Sequence, residues 1–553
     1  MKNRMVSISL AVALILSVGL AGCGGEEVPE TTEYNLAVSS TEGGSVTTPG
    51  EGIFAYEEGT DVNLEAVAEQ GYVFDEWTGD VGTIADVENP TITITVNGDY
   101  IITASFKELP EQPTKIVIGT ARDTDEQLIV FEQIVGGPVI REFVEQVNLS
   151  GGVHLSAYDT ATEECWVPLE IDMRNFSLAT WDIGNVTAQI CADIKDGTVH
   201  FLWGGPGTDA IVAQAPVANE AGVVLLALDG GYVPIANDPD RLAGWPYVFI
   251  TVSYSDWYQI PVLQDTLEEE LGRAPKAYVT CVGGLGATYG IEYRAETINQ
   301  FGAANVIDAG FHDYDLWATG AADAIITAAA EALGEPADPN YDIFCAWTFP
   351  WNVQALTIAL LGSDFNPPAM IFGPGANFGD YRNVYFGPMA EGIMGFTIAA
   401  YDTNPGIQAV YDLIAERMDD DEGDPLSGLP GVPGIFTLDY WGTPVYWAGL
   451  EMWLEAVEGV GYVDQEKLRD ALAGLEDDPA DTILGDCWFR MYGANGEGGG
   501  NLDYRCHTGE IGQWQSGVYE TVGYEGITDD LPNYVVTADF MFPMTDKWNW
   551  LQD

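Results

Sequence analysis

The chain opens on an unbroken apolar run from Met5 to about Leu20, behind Lys2 and Arg4. A run this short, with a positive flank and small residues at its end, predicts a cleaved export signal and not a spanning helix. From 34 to 107 the pattern becomes alternation. YNLAVSS, GSVTTPG, DVNLEAVA, YVFDEWTGD and PTITITV alternate apolar and polar positions, with Gly and Pro between them. Successive side chains of a strand point to opposite faces, so this predicts a small all-β domain. Beyond the Pro-bearing linker 108–114 the period changes again. Short apolar runs (KIVIGT, VHLSAYD, TVHFLWG, VVLLALD) alternate with helix-like stretches near 127–146, 186–195 and 210–221. The alternation restarts at KAYVTCV and continues through a helix near 291–301, NVIDAGF, DIFCAW and AMIFGP. Strands covered by helices on both faces read this way. The expectation is an α/β fold of two Rossmann-like lobes around a ligand cleft.

These shifts divide the chain into a signal segment (1–22), a small, acidic, Pro-containing tether (23–33), an all-β domain (34–107), the linker (108–114) and the two-lobed region (115–553). Composition then narrows the partners. There are 86 Asp and Glu against 19 Lys and Arg, a formal charge of −67, or −69 once the signal is removed. Such a surface repels nucleic acid and anionic headgroups, and it disfavours anionic ligands except where a local site overrides the field. Seven cysteines occur. Cys487 and Cys506 flank a Gly-rich segment, GANGEGGGN, that reads as a hairpin tip, and they form the candidate disulfide of an exported protein.

Catalytic and metal motifs do not emerge. The four histidines (His154, His200, His312, His507) fall in no HExxH and at no metal-ligand spacing. There is no GxSxG elbow and no GxxxxGK[ST] loop. The glycine-rich Gly373–Gly379 is spaced wrongly for a dinucleotide turn, and Pro374 offers no N–H. In Asp419–Asp424 the glycine falls one place early for an EF-hand, and no bidentate Glu follows. No enzyme, cofactor or metal is expected.

Three resemblances add to this. Leu20-Ala21-Gly22-Cys23 resembles the lipobox of bacterial lipoproteins, which implies cleavage before Cys23, lipidation of its thiol and anchoring to a bacterial membrane outside the cytoplasm. Residues 34–107 resemble the internalin-type B-repeat, through Gly44-x-Val46, Gly59-Thr60-x-Val62-x-Leu64-x-Ala66, Gly71-Tyr72-x-Phe74-x-x-Trp77-x-Gly79 and Ile102-Thr103-Ala104-x-Phe106. Such units are spacers or weak interaction modules. Residues 115 to about 545 resemble the type I periplasmic binding proteins, most closely the branched-chain amino-acid receptors of ABC importers. The matching stretches are Phe143 to Val153 with Tyr158-Asp159-Thr160 as a turn into the second strand, Ala215-Pro216 to Gly222, Ala287-Thr288-Tyr289-Gly290, Phe372-Gly373-Pro374, and Glu391-Gly392 to Phe396.

This last resemblance implies two lobes, lobe 1 at about 115–250 and 401–485 and lobe 2 at about 251–400 and 486–553, with a ligand between them, bound in part by backbone N–H groups at helix N-termini. It places Thr208 at a ligand-binding hydroxyl (a role compatible with plain N-capping), Asp229 and Gly231 in a donor loop, and Tyr289 where a tyrosine enters the cleft. The family's amino-acid-binding members place a carboxylate after the Gly-Pro turn to hold the ligand's ammonium. Here that position is Gly375. Either Asp229 takes over, or the ligand is not an ordinary α-amino acid, because an unpaired buried ammonium is costly. Trp203, Trp347, Phe349, Trp351, Phe378 and Tyr381 fall on predicted cleft loops, as core packing or as an aromatic wall suited to an aromatic, amide or quaternary-amine ligand. The implied protein is a monomeric, lipid-anchored receptor that delivers a small molecule to an ABC permease. A sensor of the same fold and a surface adhesin are the alternatives.

Overall fold

The computed structural model describes residues 32–123, 136–228, 242–251, 259–283, 287–312, 320–335, 338–348, 350–373, 375–397, 405–420, 438, 442–503, 506, 510–524 and 538–542. The chain forms two compact units, Met1–Leu109 and Pro110–Asp553.

The first unit is all-β. Its strands are β1 (Glu33–Ser40), β2 (Gly44–Thr48), β3 (Gly52–Glu57), β4 (Thr60–Ala68), β5 (Tyr72–Gly79), β6 (Thr91–Val96) and β7 (Tyr100–Glu108). They make a four-stranded sheet, β3-β1-β7-β5, and a three-stranded sheet, β2-β4-β6. Only β1 and β7 pair in parallel. The alternation is realised residue by residue: Ile92, Ile94 and Val96 are buried, while Thr91, Thr93 and Thr95 face solvent. Two of those threonines bond across to β4, Thr93 to Asn63 and Thr95 to Asp61. The inner faces meet around Trp77, whose indole N–H donates to the Asn89 carbonyl at 2.9 Å, so this buried polar atom is satisfied. Gly43 sits at φ +106°, and a side chain there would collide with the Tyr72 ring.

The second unit runs β8 (Ile116–Arg122), α1 (Gly136–Leu149), β9 (Leu169–Asn175), α2 (Ile183–Lys195), β10 (Phe201–Gly204), α3 (Thr208–Ala221), β11 (Leu225–Ala227) and β12 (Val248–Ile250). It continues with α4 (Gln259–Leu271), β13 (Ala277–Val282), α5 (Ala287–Phe301), β14 (Val306–His312), α6 (Ala322–Leu333), β15 (Ile343–Trp347), α7 (Pro350–Leu361), β16 (Ala369–Gly373) and β17 (Ile393–Thr397). Helices α8 (Pro405–Asp420), α9 (Gly442–Val460) and α10 (Gln465–Gly474) follow, then β18 (Phe489–Met491), β19 (Gly500–Leu502), β20 (Glu510–Gln515) and β21 (Val518–Tyr524).

Two seven-stranded sheets result. The first lobe has the order β9-β8-β10-β11-β12-β19-β18, parallel except for β18. The second has β14-β13-β15-β16-β17-β20-β21, parallel through β17. The central strands are buried on both faces, which is why they read as continuous apolar runs. In the first lobe α1 and α9 cover one face: Phe143 and Trp453 both meet the Trp203 ring. On the other face α2 and α3 press so closely that a side chain at Gly119 would overlap Ile190, and one at Gly204 would overlap Ile211.

Two expectations are corrected. VHLSAYD is not the second strand of the sheet: only Val153–His154 is extended there, and it pairs with Trp166–Val167. The sheet takes LEIDMRN instead, an edge strand that alternates Leu169, Ile171 and Met173 with polar residues. Residues 486–502 do not belong to the second lobe. The hairpin β18–β19 joins the first sheet, Phe249 and Ile250 pairing with Gly500 and Asn501. The described part of the first helix begins at Gly136.

Candidate functional site

The connections between lobes locate the site. Strand β12 ends at Ile250 in the first sheet, and α4 begins at Gln259 in the second lobe. Strand β19 ends beside it at Leu502, and β20 begins at Glu510, opposite Thr397 at the end of β17. A third passage joins Thr397 to α8 at Pro405. Seven or eight residues span at most roughly 28 Å. The carboxyl edges of the two parallel sheets therefore face each other across a short gap, where open α/β sheets place their ligands.

In the first lobe, β10 runs into Gly204-Gly205-Pro206-Gly207-Thr208. Gly207 N-caps α3 at φ +79°, and Thr208, the first helical residue, is buried. The Gly205 N–H donates to Gln214 Oε1 at 3.1 Å, which ties the loop back onto the second turn of the helix. Gln214 is fully buried, and its Nε2 has no hydrogen-bond partner among the described residues. A second helix N-terminus points the same way. Along α9, Gly449 packs on Thr251 just beyond β12, and Glu458 reaches the His154 N–H; Gln465, just past the helix, bonds His200 and Val224 at the starts of β10 and β11. The helix thus runs against the strands, and its Gly442–Thr443 end lies at their carboxyl edge. Thr443 is fully buried, and its hydroxyl is likewise without a partner among the described residues. Both N-termini carry partial positive charge from unsatisfied N–H groups. Arg122 and Asp123, at the end of β8, are also fully buried, so this edge holds one basic and one acidic side chain.

The second lobe contributes fixed polar groups. The hydroxyl of Thr348 donates to the Val282 carbonyl at 3.0 Å, and Asn352 Nδ2 to the Gly283 carbonyl at 3.1 Å, which hold the ends of β13 and β15 together. Thr280 is buried, with no partner for its hydroxyl among the described residues. At the end of β16, Gly375 adopts φ +136° and donates its N–H to Asn377 Oδ1 at 2.8 Å. Asp380 is the first acid after this turn; burial, and then the charge of Asp380, raise the Tyr385 pKa above its usual value.

The candidate residues expected from the sequence separate accordingly. Thr208 and Gly375 lie at the two facing edges, one in each lobe. Trp203 and Trp347 do not line a wall there. Trp203 is wholly buried under α1 and α9, its ring edge-on to Trp453 at 5.0 Å. Trp347 stacks on Phe396 at 5.8 Å and 11° and donates to Thr297 Oγ1 on α5. Both residues sit near strand ends, but a strand turns its side chains onto the sheet faces, where helices cover them. Phe378 and Tyr381 are buried as well, the Tyr381 hydroxyl paired with Thr357 at 2.8 Å. Asp229, Gly231, Phe349 and Cys23 lie outside the described residues; of Tyr289 only the backbone, in α5, is described. Cys487 and Cys506 stand side by side as buried thiols.

Sequence reasoning missed Arg122-Asp123, Gln214 and Thr443. The first pair carried a signal, two charges directly after an apolar strand. The others sit inside helices and carried none.

Residues 34–110 match the family of divergent InlB B-repeat domains. No curated protein matches the chain by sequence. Solved structures do match the second unit. One is the branched-chain amino acid transporter substrate-binding protein LivJ from Streptococcus pneumoniae, in complex with isoleucine, at 15% identity and TM-score 0.52, covering 74% of this chain and 99% of that one. Another is the solute-binding protein of an ABC transporter from Rhodopseudomonas palustris HaA2, in complex with p-hydroxybenzoic acid, at 14% identity and TM-score 0.53, covering 74% and 96%. A third, from strain BisB5 and in complex with 3,4-dihydroxybenzoic acid, has 13% identity and TM-score 0.52, covering 74% and 96%. The second unit has the type I periplasmic-binding fold. These neighbours are transporter binding proteins and not enzymes. Among the described residues no helix is long and apolar enough to cross a membrane.

Proposed function

We propose that this protein is an extracytoplasmic receptor, anchored through a lipidated Cys23, that captures a small carboxylic acid between its lobes and hands it to an ABC permease. The observation that carries this reading is the placement of the α3 and α9 N-termini at one sheet edge, with a Gln214 Nε2 and a Thr443 hydroxyl that have no partner among the described residues. Aligned N–H groups and spare donors suit a carboxylate. The ligands of the three neighbours named above, isoleucine and two hydroxybenzoic acids, all carry one.

An ammonium is the less suited group. Gly375 brings no charge to the turn after β16, and its N–H is already bonded to Asn377. The favoured solute is therefore a carboxylate without an α-ammonium, such as an aromatic acid. The net charge of −67 sets the long-range field against an anion, so the affinity must arise locally.

The test is a melting-temperature panel. Only the folded state holds the ligand, so binding raises Tm. 4-Hydroxybenzoate and benzoate should produce larger shifts than leucine or isoleucine, and benzamide smaller ones than benzoate. A leucine shift exceeding every aromatic acid would reverse the assignment of ligand class; no shift with any carboxylate would remove the receptor reading.

A further inference from the structure

Cys487 and Cys506 lie apart from everything used above. Cys487 closes a short hairpin, where it faces Ala480 and accepts from the Thr482 hydroxyl at 3.3 Å. Cys506 lies just past β19, and its sulfur accepts the Trp488 N–H at 3.3 Å. Both side chains are fully buried, and the two thiols are in hydrogen-bonding contact. Burial and this neighbour push the Cys506 thiol well above the usual range.

Their place in the topology gives the pair its meaning. Leu502 is the last residue of the first lobe's sheet, and Glu510 is the first of β20 in the second. Cys506 stands midway along that passage. A bond to Cys487 would fix the midpoint of the passage to the first lobe and so shorten the stretch of chain between that lobe and β20. We propose that Cys487 and Cys506 form a disulfide that shortens this inter-lobe connection. The reading rests on export, since an oxidising compartment is what lets such a bond persist. The step balances as a dithiol–disulfide exchange. The disulfide of an extracytoplasmic thiol oxidoreductase accepts two electrons and two protons and becomes a dithiol. The two cysteine thiols lose the same number and form one S–S bond. Formation during folding avoids the inaccessibility of the finished pair.

The sequence supplies a clean assay. Trypsin cuts after Arg490 and Arg505, so Cys487 falls in 470–490 and Cys506 in 506–547. Full-length chain exported to an oxidising compartment is treated with a maleimide under denaturing, non-reducing conditions, digested and analysed by mass spectrometry. The expected product is the linked pair of these peptides, absent after reduction. Recovery of both peptides carrying the maleimide would overturn the disulfide. Hydrogen exchange across 503–510 is then compared between the exported chain and its Cys487→Ser/Cys506→Ser variant. Faster exchange in the variant, with Tm lower by roughly 5 °C, supports the clamp. A linked pair with unchanged exchange in this segment would overturn the hinge role. Should the double variant not fold, the exported Cys506→Ser variant and the wild type folded under reducing conditions take its place in the exchange comparison.

Discussion

Glu451 offers a quantitative check on the packing of α9, the helix whose N-terminus is assigned to the site. Its carboxylate lies in the first lobe, where Oε1 accepts the Trp447 indole N–H at 2.9 Å and Oε2 the Ile483 N–H at 2.8 Å. Burial pushes its pKa from 4.5 up to about 7, and the nearby Asp481 adds to the rise, while the two hydrogen bonds oppose it. The folded state thus holds this proton more tightly than the unfolded state does. The resulting stability is full below about pH 4.5 and is lost as pH rises through about 7. At ~1.36 kcal/mol per pH unit, the gap is worth about 3 kcal/mol, of which about 2.5 is lost between pH 5 and pH 8. Glu451→Gln abolishes the titration and retains the size. Its single carbonyl can serve only one of the two N–H donors, at a cost of about 1 kcal/mol. The variant should therefore match the wild type near pH 5 and exceed it by about 2 kcal/mol at pH 8, a Tm gain of roughly 4 °C. Scanning calorimetry of both proteins over this pH range is the assay. The wild type also loses stability through its general excess of acids, so the informative quantity is the difference between the two curves. Curves that stay parallel from pH 5 to pH 8 would refute the reasoning.

Cys23→Ala should move the expressed protein from the detergent phase to the aqueous phase, because it removes the proposed acyl acceptor; unchanged partitioning would end the lipoprotein proposal. Deleting 24–107 should leave solute affinity unchanged, since the two units are separately compact; loss of binding would contradict a spacer role for the B-repeat domain. Thr208→Ala and Thr443→Ala should each weaken 4-hydroxybenzoate binding by about 1–2 kcal/mol in calorimetric titration if each leaves a ligand oxygen unpaired, with a structural role indicated by an equal loss of Tm in the ligand-free protein. Because the overall field repels anions, stopped-flow association of an aromatic acid should quicken as salt is added; slowing would point to a cationic ligand.

Fold and site were legible in the sequence to different depths. The strands buried on both faces announced themselves as apolar runs: IFCAW and AMIFG are core on either side. Edge strands were harder. LEIDMRN, with one face toward solvent, lacks a continuous run, while VHLSAYD drew attention through Val153 and Leu155, which are buried beneath a turn and not within the main sheet. The hairpin β18–β19 was readable as a hairpin, but its sheet was not, because its strands are three residues long and the partner β12 lies some 250 positions earlier. At the site, residue type misled most for the rings. A tryptophan beside a loop looks like a cleft residue until the face it occupies is known, and Trp203 and Trp347 occupy covered faces. Thr208 was placed by the family resemblance and by its position after the apolar run TVHFLW at the opening of a helix, and the helix does begin there. Gln214 and Thr443 matter only through what they leave unbonded, which no linear pattern encodes.

Hydrogen exchange with and without 4-hydroxybenzoate at saturating concentration tests the central claim most directly, because it reads both lobes at once. A solute held between the facing edges should slow exchange in Gly204–Ala210 and at the start of α9 in the first lobe, and in Gly373–Asp380 of the second. Protection confined to one lobe, or to the B-repeat domain, would contradict binding in the cleft.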